Sequence, residues 1–208
     1  MNYLEALSRR YSVKKFNNQL IPQETLNNIL ESGKLSASSL GLQPYKIVIV
    51  GSEEMKQKLI PAFYNPSQIS TCSHLIVIIS KKTIEEHYIR GYFNHISEVR
   101  DTPLEELDPF KKSISQHITQ KTPEEIFNWA EKQSYIVLAN LMYAAAIENI
   151  DSCPMEGFRQ DVIEEILNIN SETEKVTVTL ALGYRSEEDN FQHMKKVRKP
   201  NEKLFKFI

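Results

Sequence analysis

The stretch from Thr122 to about Glu148 constrains this chain more than any other. Thr122-Pro123-Glu124-Glu125 is a capping box. The threonine hydroxyl can accept the third backbone N–H, the glutamate can reach back to the cap, and proline at the first helical position gives up an N–H that has no partner anyway. The helix it starts becomes apolar almost all round from Ile136 to Ile147, broken only by Asn140. That run, preceded by Glu131, Lys132 and Gln133, is too short for a membrane span. A helix apolar on every side must be covered, either at the centre of the molecule or in a subunit interface.

The remaining elements have to wrap around that helix. Tyr3, Leu4 and Leu7 sit at helical spacing, and a second helix from Ile21-Pro22-Gln23 turns Leu26, Ile29 and Leu30 inward before ending near Gly33. Ile47–Val50 reads as a buried strand that Gly51 stops, Ser52 caps a helix bearing Met55 and Leu59, and Tyr64-Asn65-Pro66 reads as a loop before a second strand, Leu75–Ile79. Charged residues interrupt every period from residue 81 to residue 121, where Pro103 and Pro109 break the chain and helices joined by mobile loops are expected. Pro154-Met155-Glu156-Gly157 reads as a tight turn. A short helix around Val162, Ile163, Ile166 and Leu167 follows, then a strand alternating from Val176 to Leu182 that Gly183 ends. Consecutive helical regions without intervening strands point to an α+β layer fold, and the absence of repeats or linkers to one domain over 1–208.

Several chemistries are excluded. The six glycines are too dispersed for a dinucleotide fingerprint or a phosphate loop. Twenty-five Lys and Arg against 27 Asp and Glu leave a net charge of −2, so no global field draws the protein to nucleic acid or anionic lipid, and any anion site must be local. Cys72 and Cys153 are too far apart for a redox or zinc pair, and His74, His87 and His95 lack a second ligand at useful spacing, so no metal is expected. The first ten residues carry no apolar signal core, and a cytoplasmic protein is expected. Trp129 reads as core or interface.

Two basic clusters stand at opposite ends of the chain, Arg9-Arg10-Tyr11-Ser12-Val13-Lys14-Lys15 and Lys195-Lys196-Val197-Arg198-Lys199. Each alone reads as solvated surface. If they converge, they and the Ser12 hydroxyl supply what a phosphate dianion requires.

The order of five pieces adds to this reading: Arg10-Tyr11-Ser12-Val13-Lys14, Ser38-Ser39 with Gln43-Pro44, Pro154-Met155-Glu156-Gly157-Phe158, Leu182-Gly183-Tyr184, and Lys196-Val197-Arg198. In that order and spacing the chain resembles the nitroreductase family from end to end. The resemblance implies a mainly antiparallel mixed sheet flanked by helices, and an intertwined homodimer whose C-terminal tails exchange. It implies FMN held tightly but non-covalently at the interface, NADH or NADPH as cosubstrate, and ping-pong reduction of nitroaromatics, quinones or similar flat acceptors.

The resemblance also assigns residues. Arg10, Ser12, Lys196 and Arg198 would hold the phosphate and ribityl end, and Lys14 and Asn65 the pyrimidine edge. Pro154, Met155, Glu156 and Gly157 would cross one ring face, while Ser38, Ser39 and Gln43 would reach in from the other subunit. Tyr11, where a histidine is common, and Gln68, where a basic residue is common, keep places along the cofactor, and Leu40-Gly41-Leu42 replaces a more polar run. Lys14, Glu156 and Gly157 would carry the catalytic roles, Lys14 by stabilising negative charge on the reduced ring and Gly157 by an N–H unobstructed by a Cβ. Residues 81–121 would form a helical excursion on the substrate side, with Phe93, Phe110, His117 and Ile118 as pocket or packing residues. Other readings are a reductase specialised for a pteridine, flavin or activated alkene, and a non-catalytic protein that stores or senses FMN.

Overall fold

The computed structural model describes residues 2–208. In chain order the helices are α1 (Tyr3–Arg9), α2 (Gln23–Lys34), α3 (Glu53–Leu59), α4 (Pro66–Thr71), α5 (Glu86–Arg100), α6 (Leu104–Thr119), α7 (Pro123–Ile147), α8 (Gln160–Ile166) and α9 (Asn201–Leu204). The strands are β1 (Tyr45–Val50), β2 (His74–Lys81), β3 (Asp151–Met155) and β4 (Glu174–Gly183), in the sheet order β1-β2-β4-β3. All three pairings are antiparallel, and the parallel element is the isolated bridge between Ser12 and Ser152. The result is an α+β fold.

The sheet divides two layers. Leu75, Val77 and Ile79 of β2 face a core closed by Leu59, Ile69 and Ile163, whereas Ile76 and Ile78 face α2 and α7 through Leu26, Ile29, Val137 and Leu141. Period-two alternation is interrupted once. Ile78 pairs with Val178 but Ile79 with Val176, so Thr177 is an extra residue, and Val176 and Val178 end on opposite faces. The Ser80 hydroxyl, buried at this point, bonds both Thr177 and Ser134 of α7, which satisfies the polar groups the irregularity brings inside. Helices α2 and α7 approach so closely at Gly33 that a Cβ there would stand 2.8 Å from Leu141 Cδ2.

Helix α7 starts with the expected capping box, Thr122 accepting from Glu125 N at 3.2 Å and Glu125 from Thr122 N at 2.8 Å. Its first half and the α5–α6 pair enclose a third cluster built on Phe93, Ile114, Ile118 and Ile126, with Trp129 and Tyr92 packed against it. Phe93 and Ile118 are therefore packing residues; Phe110 and His117 are exposed.

Three expectations about elements change. Pro154 lies in strand β3 rather than a turn, and β3 is an edge strand, where a missing N–H is tolerated. Asn65 caps a helix, α4, instead of sitting in a longer loop. Pro103 does precede a helix start, but Pro109 lies inside α6 without ending it.

Candidate active site

The N-terminal basic segment and the segment after β4 do meet. After α1 the chain runs extended past the Ser12–Ser152 bridge, and Asp189 fastens it to the residues beyond β4. Asp189 is 3% exposed. Its Oδ2 accepts from Lys14 N at 2.7 Å, Lys15 N at 3.3 Å and the Tyr11 hydroxyl at 3.1 Å, and its Oδ1 accepts from Phe191 N at 3.1 Å. Burial by itself would raise the pKa of this carboxyl, but the N–H groups of Lys14, Phe191 and Lys15 and the Tyr11 hydroxyl outweigh it and hold the pKa below its ordinary value. Arg185 braces the other side. It grips the buried Asp151 in a bidentate pair and lays its guanidinium over the Tyr11 ring at 4.7 Å.

Between these segments lies a hollow of about 420 Å³ lined by Arg10, Ser12, Lys14, Phe191, Lys196 and Arg198, among others. Among the described residues no carboxylate lines it. Lys196 Nζ donates to Leu7 O and Arg10 O, tying the two basic clusters together. Burial lowers the Arg10 pKa and the neighbouring Arg198 charge lowers it further; Lys196 is lowered by burial and then by Arg10 and Arg198. Arg10 Nε is shut away from solvent without an acceptor, as are Nε and Nη2 of Arg9. Like charges crowded together, with donors left over, make a site for an anion.

Lys14 belongs to this hollow and to a second one of about 280 Å³ lined by Phe63, Tyr64, Asn65, Gln68, Cys153 and residues 154–157. The two meet at Lys14 to form one cleft. Lys14 Nζ stands 4.0 Å from Cys153 Sγ and 5.9 Å from the centre of the Phe191 ring. The Gln68 amide, 4% exposed, donates to Val13 O and Cys153 Sγ, so its nitrogen is already engaged. Burial raises the Cys153 pKa against the lowering effect of Lys14, leaving a neutral thiol. Asn65 uses its side-chain oxygen to cap α4.

The 154–157 segment forms the floor of the second hollow. The Phe63–Phe158 bridge and the Tyr64 N to Gly157 O bond at 3.3 Å pin it in place, while the N–H groups of Glu156 and Gly157 have no acceptor among the described residues. Gly157 does not owe its lack of a side chain to internal crowding, since an added Cβ would meet the Tyr64 ring at an ordinary 3.4 Å. The Glu156 carboxylate accepts from the Tyr135 hydroxyl of α7.

Ser38, Ser39 and Gln43 line neither hollow. They stabilise a strained loop in which Leu40, Gly41 and Gln43 all take positive φ, at 60°, 70° and 44°. Ser38 Oγ accepts from Gln43 N, Ser39 N donates to Gln133, and the Tyr88 hydroxyl shares its one proton between Leu42 O at 2.9 Å and Gln43 O at 2.8 Å.

Thus Arg10, Tyr11, Ser12, Lys14, Asn65, Gln68, Pro154, Met155, Glu156, Gly157, Lys196 and Arg198 share one cleft within the chain, although the Tyr11 hydroxyl points to Asp189. Asp189 and Phe191 were missing from the sequence reading, and Arg9 stood there only as a member of the basic cluster. Asp189 lies in an unremarkable polar turn, and only its contacts distinguish it.

A family model described as the nitroreductase family matches residues 7–184. The candidate NAD(P)H nitroreductase YfkO of Bacillus subtilis is 35% identical over 196 residues, covering 88% of each chain. The candidate NAD(P)H nitroreductase SH0546 of Staphylococcus haemolyticus is 33% identical, covering 99% of this chain and 96% of its own. Among solved structures, a candidate nitroreductase of Exiguobacterium sibiricum in complex with FMN superposes with a TM-score of 0.86 at 22% identity, covering 100% of this chain and 98% of its own. That likeness concerns the fold. The matched family model and the two relatives, joined with the convergent basic cleft, establish that this chain belongs to the nitroreductase family.

Proposed function

We propose that this chain is an FMN-dependent oxidoreductase that uses NADH or NADPH to reduce flat, electron-poor acceptors such as nitroaromatics and quinones. The carrying observation is the cleft itself: a carboxylate-free cationic end with an orphaned Arg10 Nε, joined through Lys14 to a floor of free backbone N–H groups at Glu156 and Gly157. These residues fit FMN, with a dianionic phosphate at one end and a ring bearing polar edges at the other.

Arg10, Lys196, Arg198 and the Ser12 hydroxyl would hold the phosphate. Lys14 would favour negative charge on the pyrimidine edge, with the Asn65 amide beside it. The N–H of Gly157 can donate to a ring nitrogen that approaches close to the backbone, where no Cβ of its own stands in the way. FMN, when bound, supplies the redox chemistry, taking a hydride from the nicotinamide and giving it to the acceptor. The chain orients, excludes water and sets the local field.

Ser38, Ser39 and Gln43 would complete the site from a second copy, which the fixed, strained loop from Leu40 to Gln43 supports. The test is flavin uptake followed by stopped-flow reduction. The purified chain should take up about one FMN per subunit and lose its yellow absorbance rapidly with NADH or NADPH. A protein that takes up no FMN overturns the reading, and one that binds FMN but is not reduced is a storage or sensing protein.

A further inference from the structure

The cleft carries more positive charge than one phosphate requires. Arg9, Arg10, Lys14, Lys195, Lys196 and Arg198 all line its basic end, and among the described residues none is paired with a carboxylate. In a protein of net charge −2 this is a local concentration and not a general basicity. The reading above gives the FMN phosphate to Arg10, Lys196 and Arg198, and Lys14 reaches toward Cys153 and the second hollow.

Arg9 and Lys195 are left without a counter-ion. For Arg9 the mismatch is sharper, because Nε and Nη2 are both closed off from water and have no acceptor among the described residues. A guanidinium that has given up hydration on two nitrogens without gaining a partner is a poor internal design. It is a good one where an oxyanion supplies the missing acceptors, since the N–H groups of the planar fork match two oxygens of a phosphate. Arg9 ends α1, immediately before the residue assigned to the first phosphate, while Lys195 precedes Lys196 on the other segment.

We infer that Arg9 and Lys195 form a second anion subsite in the cleft, separate from that of the FMN phosphate, which takes a phosphate dianion. The inference rests on the FMN reading. Two sources share this chemistry, the 2′-phosphate of a reduced dinucleotide and a free inorganic phosphate or pyrophosphate. The first would make the subsite the element that selects NADPH over NADH.

The experiment titrates the FMN-loaded protein, its occupancy first read from flavin absorbance, by calorimetry with adenosine 2′,5′-bisphosphate, with adenosine and with pyrophosphate. Adenosine 2′,5′-bisphosphate should bind about tenfold or more tighter than adenosine, the scale of one charge-assisted contact. Arg9→Gln should remove that advantage while FMN occupancy stays full, and Arg9→Lys should restore part of it. Pyrophosphate that binds as tightly as the bisphosphate, with the same loss in Arg9→Gln, assigns the subsite to a free anion. Loaded protein that does not distinguish the bisphosphate from adenosine and does not bind pyrophosphate overturns this inference alone. So does an Arg9→Gln variant that loses FMN in step with the probe, because Arg9 would then serve the first phosphate. Failure to take up FMN at all overturns both readings.

Discussion

Asp189 makes four hydrogen bonds from a buried position, and three of them end on the segment that carries Tyr11 and Lys14. It therefore sets where Lys14 leaves the backbone, and through it the junction of the two hollows. Asp189→Asn keeps the shape and removes the charge, which should cost about 1–3 kcal/mol of stability at neutral pH, the range for a hydrogen bond to an ionised group. Because the native pKa is depressed, that contribution is complete above the unfolded value of about 3.9 and declines as the pH falls below it toward the native value. Urea unfolding of both proteins across this range reads the sign directly; a gap that widens on acidification would contradict the assignment. Lys14 itself is tested by Lys14→Met, which retains most of the stem. Losing about 1–3 kcal/mol of preference for the reduced flavin corresponds to a midpoint lower by roughly 20–65 mV. An unchanged midpoint in potentiometry would leave Lys14 as a simple anchor. Arg10→Ala should weaken FMN binding by about 1.5–3 kcal/mol, whereas Lys199→Ala, outside the cleft lining, should leave it nearly unchanged in the same flavin titration. Such residue-level roles were partly legible: the types Arg, Ser and Lys suggest a phosphate, but that the two ends meet depends on Asp189 and Lys196, whose contacts span about 175 residues or more and leave no local pattern.

Elements with strong local signals were legible, and those settled by the sheet were not. Helix α7 has a capping box, a proline and a long apolar run, all pointing one way, and its bounds Pro123–Ile147 follow. Strand β3, by contrast, has the sequence Asp-Ser-Cys-Pro-Met, with little propensity for a strand. It forms because β4 offers partners from Thr179 to Gly183 and the edge position tolerates Pro154. The consequence for the site is direct, since β3 delivers Cys153 and residues 154–157 to the floor of the cleft in a fixed register. Pro109 is the opposite case, a breaker overruled by packing. It lies at the sixth position of α6, where its missing N–H would have bonded Glu105 O, yet Ile114 and Ile118 beyond it are buried against α5 and α7. The helix thus continues at a cost. Pro109→Ala should stabilise the protein by roughly 1–2 kcal/mol, the restored bond being offset in part by a freer unfolded chain. Thermal or urea unfolding checks this, and a destabilised variant would mean that α6 uses a bend at Pro109 to reach its partners.

At the scale of the whole molecule, the apolar surface of α7 is only half covered. Its inner side meets β2 and α2, but Tyr135, Ile136 and Tyr143 are 37–41% exposed, and Tyr3, Leu4 and Leu7 of α1 are exposed as well. Leu7, Tyr135, Leu138, Ala139, Met142 and Tyr143 line a hollow of about 310 Å³ that also touches Arg10, so the apolar face and the basic cleft share a wall. Beyond α9 the tail Phe205-Lys206-Phe207-Ile208 is open to solvent, with Phe207 96% exposed. Two exposed apolar surfaces of this kind on one chain are costly in water and are relieved together if a second copy packs on α7 and each tail lies across its neighbour. Such an arrangement would be an obligate homodimer. Removing residues 204–208 separates these ideas from mere solubility. The tail makes few contacts within its own chain, so its loss should leave monomer packing, and hence far-UV circular dichroism, unchanged. If it exchanges, the dimer should weaken and FMN affinity should fall with it, because the site would draw residues from both copies. Sedimentation velocity over a range of concentrations gives the first quantity and flavin titration the second. A truncated protein that remains dimeric at the lowest concentration and holds FMN normally would show that the α7 face alone makes the dimer and that the tail has no part in it.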